Sequence, residues 1–356
     1  SSRWFTDDYI RKLENSFAIF DYSTVNIAFL QQKGLSRKQI YFLPIDYVTN
    51  YKSTREDADC DVIFYGDINN ERRKMFISEL KKHCTVKVIN NLFGDELYAE
   101  LAKARVIVNI HYYSGALLET TRIWECLSLN KLVVSERSSD MDQHANLEQF
   151  IDFVEIDDVS GMVERVKYWL NHDELRHQYI SNNKSKLEQQ PNQFEYFFYR
   201  FLLATDNIGF DDFWNVAGHK VILPSDKVCL HLPEDVVRTT DFSNDNHYDF
   251  SFFAGLRHTQ GWIGCAMSYK FMIMLARQQG LSKVTICEDD VEFPPDFASK
   301  WQEIQRYLDD RVLDWDVFSG LLAHLSDEAN VSNVHSTHVL QYVTIDRLIS
   351  MVFNVY

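Results

Sequence analysis

Three consecutive carboxylates, Glu288, Asp289 and Asp290, follow directly after the short apolar segment 284–287. An apolar run of this length is typical of a β-strand, so the acids are expected where the strand ends, which is where α/β sheets bind ligands. Hard divalent cations prefer oxygen ligands, and Mg²⁺ or Mn²⁺ held by one or two carboxylates can take its other ligands from a diphosphate. The sequence therefore predicts a metal site here; the alternative is a solvated acidic turn.

Other residues could complete a site around these acids. Asp316, in the segment 314–320, is a candidate catalytic carboxylate, with the alternative that it caps a loop or a helix. Arg257 and His258 could meet a diphosphate, although an arginine in such a place is equally often an ion-pair partner. The later histidines are expected to be ordinary surface or packed side chains, and they are His324, His335 and His338.

The elements that would position these residues follow from hydrophobic periodicity. From about residue 60, short apolar runs typical of strands alternate with amphipathic stretches at helical spacing. Such alternation predicts a parallel sheet with helices on both faces, and hence an α/β fold. The predicted strands are 62–65, 86–89, 105–110, 131–135 and 152–156, and the predicted helices are 71–82, 95–104, 119–129, 159–170, 174–189 and 194–204.

The alternation breaks at 206–212, a polar and glycine-containing segment that predicts a domain boundary. We therefore predict two domains, at 1–205 and 215–356. The elements predicted in the second domain are a strand near 220–223, a long helix over 263–279 and the strand 284–287 that leads into the acids.

Composition and charge exclude several classes of protein. The 36 Lys and Arg against 52 Asp and Glu give a formal charge of -16, which opposes binding to nucleic acid or anionic lipid. The six cysteines are scattered without CxxC pairs and are expected to be reduced, buried thiols. No run reaches the roughly 18 apolar residues of a membrane span and no signal peptide opens the chain, so we expect a cytoplasmic protein, with peripheral contact at the inner face of the membrane left open.

The segment 261–269, GWIGCAMSY, is followed by a helix and then by the strand that ends in Glu-Asp-Asp. This order resembles the family 25 glycosyltransferases, which include bacterial lipooligosaccharide and collagen galactosyltransferases. The resemblance covers about residues 220–325 and implies a GT-A fold, a UDP-sugar donor and Mn²⁺ or Mg²⁺. Tyr269 departs from the family, which usually carries His at this position.

The same resemblance implies roles for individual residues. Asp290 would bind the metal directly, and Asp289 and Glu288 would contact the ribose of the donor or metal-bound water. Glu288 is assigned both to the donor site and, with Asp290, to the metal. Gly264 and Arg257 are assigned with them to the donor-binding site.

The segment 114–136 resembles the donor-binding half of GT-B glycosyltransferases, and the resemblance extends over about 60–205. It implies that a loop and a helix N-terminus face the diphosphate, that Glu125 bonds the ribose hydroxyls and that Arg122 lies in the donor site. Two departures weaken this expectation, because the earlier glutamate of the family falls on Leu117 and its glycine after the helix on Asn130. The alternative is that Glu125 is a helix-surface acid with Arg122 as its neighbour.

Upstream, Asp21, Tyr22, Ser23 and Asn26 resemble the last piece of a preceding GT-B half. Residues 1–60 are too few for that whole half. Two explanations stay open: the facing half was cut away, or the domain now only binds. The start without Met and the apolar run at the end are compatible with a fragment of a longer protein.

Together the resemblances imply an α/β protein of two Rossmann-like modules, a GT-B-type nucleotide-binding half followed by a GT-A-type domain. The implied activity is transfer of a hexose from a UDP-sugar to a saccharide or glycolipid acceptor in surface polysaccharide synthesis, with metal assistance at the three acids. Two alternatives stay open. One is a catalytically silent binding or scaffold protein in an assembly complex, and the other is part of a bifunctional enzyme with a second donor site at Glu125.

Overall fold

The structure is a computed structural model, and it describes residues 5–49, 60–310, 316–319, 321–322, 330–337, 341–347 and 353–354. The chain divides into two compact units, which we call the continuous unit (Ile45–Phe194) and the composite unit (Ser1–Pro44 together with Glu195–Tyr356). This division differs from the predicted boundary near residue 210. The reason is that the N-terminal segment packs with the later part of the chain, as shown by the hydrogen bond from Gln31 Nε2 to the Glu234 carbonyl (2.6 Å).

The composite unit begins with a βαβ segment. Its elements are α1 (Asp7–Glu14), β1 (Ile19–Asp21), α2 (Thr24–Gln32) and β2 (Ile40–Phe42). The strands β1 and β2 are parallel, and the Asp21 side chain at the end of β1 accepts hydrogen bonds from the Ser23 backbone (2.8 Å) and the Asn26 amide (3.3 Å). Asp21, Ser23 and Asn26, which resemble the end of a GT-B half, thus form the turn into α2.

The continuous unit holds a five-stranded parallel sheet of order β4-β3-β5-β6-β7. Its strands are β3 (Cys60–Tyr65), β4 (Val86–Ile89), β5 (Ala104–Asn109), β6 (Val133–Glu136) and β7 (Asp152–Val154). Its helices are α3 (Glu71–Leu80), α4 (Gly94–Ala102), α5 (Thr120–Ser128), α6 (Val159–Asn171) and α7 (Asp173–Gln189), with a 3-10 helix over Met141–Gln149.

Side chains on both faces of this sheet are buried. Ile63 and Ile107 point into one hydrophobic cluster, while Val62, Phe64 and Val106 point into another. This alternation explains why the strands read as continuous apolar runs, since a parallel sheet is covered by helices on both faces. The α/β class and the parallel-sheet architecture predicted from the sequence are confirmed.

The two ends of the continuous unit are joined by hydrogen bonds. The Asn192 amide donates to the Tyr47 carbonyl (2.9 Å), and the Gln193 backbone N–H donates to the Asp46 carboxylate (2.5 Å). The chain therefore enters and leaves this unit at neighbouring points.

The later part of the composite unit contains a three-stranded parallel sheet of order β10-β8-β9. The elements are α8 (Gln193–Ala204), α9 (Phe210–Val216), β8 (Lys227–His231), α10 (Val236–Asp245), β9 (Ser251–Ala254), α11 (Gly261–Gln278), β10 (Thr285–Glu288) and α12 (Phe297–Asp309). Two antiparallel pairs follow: β11 (Leu321–Leu322) with β14 (Phe353–Asn354), and β12 (Asn330–Ser336) with β13 (Gln341–Arg347).

The predicted strand near 220–223 is wrong. A 3-10 helix over Gly218–Lys220 occupies its start, and the strand β8 begins only at Lys227. The Gln279 side chain binds Leu223 through both of its amide atoms, accepting from the backbone N–H (2.8 Å) and donating to the carbonyl (3.3 Å). A side chain thus supplies the partners that a neighbouring strand would otherwise provide.

None of the helices in the described parts of the chain is both long enough and apolar enough to cross a membrane.

Candidate functional site

The turn after β3 brings two guanidinium groups close to the backbone at the carboxyl edge of the five-stranded sheet. Gly66 has a φ of 131°, and a Cβ at this position would lie 3.1 Å from Arg122 Nη2 and 3.7 Å from Arg73 Nη1. The positive φ favours glycine here, and a side chain would also press on Arg122, while Arg73 lies at ordinary contact distance. Arg122 Nη1 donates to Asn109 Oδ1 (2.6 Å), whereas its buried Nε has no hydrogen-bond partner among the described residues.

Arg122 and Glu125, both predicted as donor-binding, lie on either side of Tyr65. The Tyr65 hydroxyl donates to Glu125 Oε2 (2.7 Å), and the Arg122 guanidinium lies 5.0 Å from the centre of the tyrosine ring. Burial, followed by the neighbouring Cys126 and the charge of Glu125, raises the pKa of Tyr65 well above its usual value. Tyr65 therefore stays protonated and donates to Glu125. Glu125 is half-buried rather than a fully exposed helix-surface acid.

A buried histidine and carboxylate complete this edge, and neither was singled out from the sequence. His111 Nδ1 lies 2.6 Å from Glu119 Oε2, and Asn109 Nδ2 donates to the same oxygen (3.1 Å). Burial alone would lower the pKa of His111, but the hydrogen bond and charge of Glu119 outweigh it and the pKa is raised. Burial would raise the pKa of Glu119, but His111 and Arg122 lower it to about 2. The other ring nitrogen of His111, Nε2, lies 3.0 Å from the Arg137 carbonyl oxygen, so both ring nitrogens face protein acceptors.

Arg73 adds a further cation to the same edge. It is buried, its guanidinium lies 5.2 Å from each of the Phe64 and Tyr112 ring centres, and its Nη2 is 3.7 Å from Glu119 Oε1. Burial and then the charge of Arg122 lower the pKa of Arg73 to about 10. Arg73 and Arg122 therefore bring two guanidinium groups to this edge, next to the carboxylates of Glu119 and Glu125.

Glu136, at the end of β6, forms hydrogen bonds with two of the loops at this edge of the sheet. Its fully buried carboxylate accepts hydrogen bonds from Arg72 Nη1 (2.8 Å) and from the backbone N–H groups of His111 (2.9 Å) and Asp157 (3.0 Å). A second guanidinium nitrogen of Arg72 also contacts it. Glu136 therefore fixes the loops that follow β5 and β7.

The two departures from the GT-B pattern have different structural outcomes. Asn130 has a φ of 55°, a left-handed conformation that asparagine tolerates better than other non-glycine residues, so the turn after α5 keeps its form. Leu117 supplies no carboxylate, but Glu119 follows two residues later at the N-cap of α5. A signal for both residues does exist in the sequence, because His111 directly follows the predicted strand 105–110 and Glu119 begins the predicted helix 119–129.

In the composite unit, the three acids at the end of β10 have two sets of partners: Glu288 bonds side chains of α11, whereas Asp289 and Asp290 share a partner on α10. Glu288 Oε1 accepts hydrogen bonds from the Tyr269 hydroxyl (3.3 Å) and the Cys265 thiol (3.7 Å) on α11. Tyr269, which stands in place of the family's histidine, is thus a partner of Glu288. Burial and then the charge of Asp290 raise the pKa of Glu288.

Asp289 and Asp290 converge instead on one nitrogen of α10. Arg238 Nη2 lies 2.8 Å from Asp289 Oδ1 and 2.6 Å from Asp290 Oδ2. The Asp289 side chain is 7% exposed and the Asp290 side chain 59%, so the pair joins a buried acid to one that solvent reaches. Burial raises the pKa of Asp289, and the Arg238 charge opposes this shift.

The convergence of two carboxylates on one cation bears on the predicted metal site. Among the described residues, no group of three or more histidine, cysteine or acidic side chains could hold a metal ion. Mg²⁺ and Mn²⁺ can nevertheless be held by one or two carboxylates together with a diphosphate. The geometry fits Asp289 with Asp290 as such a pair, while Glu288, predicted as a ligand with Asp290, is directed to α11.

Two residues assigned to the donor site have structural contacts instead. Arg257 is nearly buried and bonds the Ile40 carbonyl (2.6 Å) and the Glu234 carboxylate (3.2 Å), so its guanidinium is already engaged. At Gly264, a Cβ would lie 3.0 Å from the His258 backbone nitrogen, so this glycine lets the preceding loop pack against α11. His258 itself pairs with Asp206 (3.2 Å).

The remaining candidates stay predictions. Asp316 is exposed, in the short described stretch 316–319. His335 is exposed and stacks on the Tyr307 ring at 5.5 Å, whereas His324 and His338 lie outside the described residues. The cysteines in the described parts of the chain are free thiols, of which Cys60, Cys84 and Cys265 are only half-buried.

Residues 53–192 match the model of a family described as glycosyl transferase-like. A search of curated proteins found no match to this chain. The matched region coincides with most of the continuous unit, including Arg73, His111, Arg122 and Glu125. The match covers 140 of the 356 residues, so the likeness to glycosyl transferases is a likeness of the continuous unit, and the composite unit with its three acids lies outside the match.

Proposed function

We propose that this protein is a glycosyltransferase that binds a nucleotide-sugar donor at the carboxyl edge of the five-stranded sheet. The observation that carries the proposal is the convergence of Arg73 and Arg122 beside Glu125, inside the region that matches the glycosyltransferase-like family. Two guanidinium groups at the carboxyl edge of a parallel sheet suit a diphosphate, because ligands bind at that edge and arginine pairs well with phosphate oxygens.

Roles for the individual residues follow from their contacts. Arg122 has a donor, its buried Nε, that is unpaired among the described residues, and this makes it the candidate for the diphosphate. Glu125 keeps acceptor capacity beyond its hydrogen bond from Tyr65, so it is the candidate for ribose hydroxyls. Glu119 would orient His111 and balance the charge of the arginines. The N-terminus of α5 adds a weak positive potential.

The test is calorimetric titration of UDP in the presence of EDTA, which removes any metal-dependent binding. Glu125→Ala should weaken UDP binding by about tenfold or more, since a hydrogen bond to a charged group contributes roughly 1.5–3 kcal/mol. Glu164→Ala removes an exposed acid of the same unit, on α6, and should leave the affinity unchanged. Equal affinity of the wild type and Glu125→Ala would remove Glu125 from the site.

We propose a second, metal-assisted reaction in the composite unit, carried by the convergence of Asp289 and Asp290 on a single cation position. The two acids would hold Mn²⁺ or Mg²⁺, which neutralises charge on the departing nucleoside diphosphate. The donor would be a UDP-hexose and the acceptor a saccharide or glycolipid of surface polysaccharide, with Asp316 as the candidate base. Glu288 would accept hydroxyl groups of the donor rather than bind the metal.

Asp290→Asn should weaken the manganese-dependent part of UDP binding by about tenfold or more, because only one carboxylate is left for the metal. The measurement is titration of UDP and a panel of UDP-sugars with and without Mn²⁺. Asp241→Asn, an exposed acid on α10, is the matched control and should behave as the wild type. Folded protein that binds no nucleotide under either condition would favour the catalytically silent scaffold.

A further inference from the structure

We propose that Arg238 is an internal cation that occupies the metal position of the acidic pair and transfers to the donor diphosphate when a divalent metal enters. The inference rests on the proposed metal-assisted function and adds to it a residue that couples metal binding to nucleotide binding.

The first step is the position of the guanidinium. A single nitrogen, Arg238 Nη2, lies within hydrogen-bond distance of both Asp289 and Asp290. A metal held by the same two oxygens would have to lie close to that nitrogen. Arg238 and a bound metal therefore exclude each other, and the metal must displace the arginine in order to bind.

The second step is that the observed position leaves Arg238 incompletely satisfied. Its Nε is buried and has no hydrogen-bond partner among the described residues. A buried N–H without a partner is unfavourable, whereas an arginine moved onto a phosphate can form two parallel hydrogen bonds. The contact with the acids thus neutralises their charge, but it leaves one N–H group of Arg238 without the hydrogen bond that a phosphate could supply.

The third step is where the displaced arginine goes. A metal on two carboxylates takes further ligands from the diphosphate, so the diphosphate lies next to the position that Arg238 has left. The freed guanidinium can bind it, because α10 holds the arginine beside the acids. Metal and nucleotide should then strengthen each other's binding, and by thermodynamic linkage the two effects are equal.

The experiment measures Mn²⁺ binding by electron paramagnetic resonance, without nucleotide and with saturating UDP. Arg238→Gln should bind Mn²⁺ alone about tenfold more tightly than the wild type, within the range typical of coupled sites. UDP should increase the Mn²⁺ affinity of Arg238→Gln at least fivefold less than that of the wild type. Arg238→Lys, which keeps the charge, should stay closer to the wild type in both measurements.

The control Arg238→Gln/Asp290→Asn should lose the tightened site, which shows that the metal binds at the acids. Unchanged or weaker Mn²⁺ binding by Arg238→Gln, with binding still dependent on Asp290, would overturn the role of Arg238 and leave the metal-assisted function standing. Absence of Mn²⁺ binding in every variant, with or without UDP, would overturn both.

Discussion

Replacing Glu234 by glutamine should destabilise the composite unit by about 3–5 kcal/mol, because two buried arginines lose their counter-charge. Glu234 is fully buried and accepts hydrogen bonds from Arg200 Nη1 (2.7 Å) and Nη2 (3.1 Å). Arg257 Nη1 lies 3.2 Å away, and the Phe42 backbone N–H donates to the same carboxylate (3.0 Å). One side chain thus joins α8, the loop before α11 and the N-terminal βαβ segment.

The measurement is urea denaturation, with hydrogen exchange used to assign each transition to a unit. Asp309→Asn breaks an exposed pair with Lys283 in the same unit and should cost less than about 1 kcal/mol. A Glu234→Gln protein as stable as this control would show that the buried ions are already compensated in another way.

The same carboxylate predicts how the stability of the composite unit depends on pH. Burial would raise the pKa of Glu234, but the charges of Arg200 and Arg257 outweigh it and lower the pKa from 4.5 to about 2. A group with a lowered folded-state pKa contributes stability above its unfolded pKa and loses that contribution as the pH falls through the folded value. The composite unit should therefore lose stability as the pH falls from about 4.5 towards 2, and less so in Glu234→Gln.

Glu136→Gln should destabilise the continuous unit by about 3 kcal/mol, the lower end of the range for a broken buried ion pair, because Arg72 loses its buried counter-charge and keeps only the half-exposed Asp157 (2.7 Å). The backbone N–H groups of His111 and Asp157 would also exchange a charged acceptor for a neutral one. Since Glu136 fixes the loop that carries His111, the UDP affinity measured in EDTA should fall as well.

Glu155→Gln is the matched control, because Glu155 is exposed and paired with Arg137 at the surface (3.3 Å). It should change the free energy of unfolding by less than about 1 kcal/mol. Glu136→Gln should lower the urea concentration at which the continuous unit unfolds and leave that of the composite unit unchanged. Glu234→Gln should have the opposite pattern. A single shared transition that moves in both variants would contradict this separation.

Local periodicity predicted most elements of the continuous unit closely. The strand 86–89 was predicted with the bounds that the structure has, and the helix 174–189 was one residue short. Apolar side chains of both elements belong to the hydrophobic clusters or pack against them, Ile89 from the strand and Leu187 from the helix among them, so the local sequences carry the signal. The strand predicted near 220–223 failed because its partner is the side chain of Gln279, which no local pattern reveals.

The site residues also divide into those with a signal in the local sequence and those defined by remote contacts. Asp289 and Asp290 stand out because they follow a predicted strand, and Glu125 and Arg122 because their segment resembles the donor-binding half of GT-B glycosyltransferases. The partners that define their chemistry come from remote elements, such as Tyr65 for Glu125 and Arg238 for the acidic pair. The buried pair of Arg200 with Glu234 spans 34 residues and has no periodic signature. Charge compensation is a property of the folded molecule, so it could not be read from spacing.

The hydrogen bonds of Asp46 and Tyr47 with Gln193 and Asn192 bear on how the chain folds. The composite unit is interrupted by the 150 residues of Ile45–Phe194, and pairing across an unfolded segment of that length carries a loop-closure entropy that grows with the logarithm of its length. Once the continuous unit has folded, those bonds hold its two ends together, and the loop to be closed is only a few residues long. The segments on either side of the continuous unit, residues 5–44 and α8, are then connected through these bonds. Folding of the continuous unit therefore lowers the entropy cost of forming the composite unit.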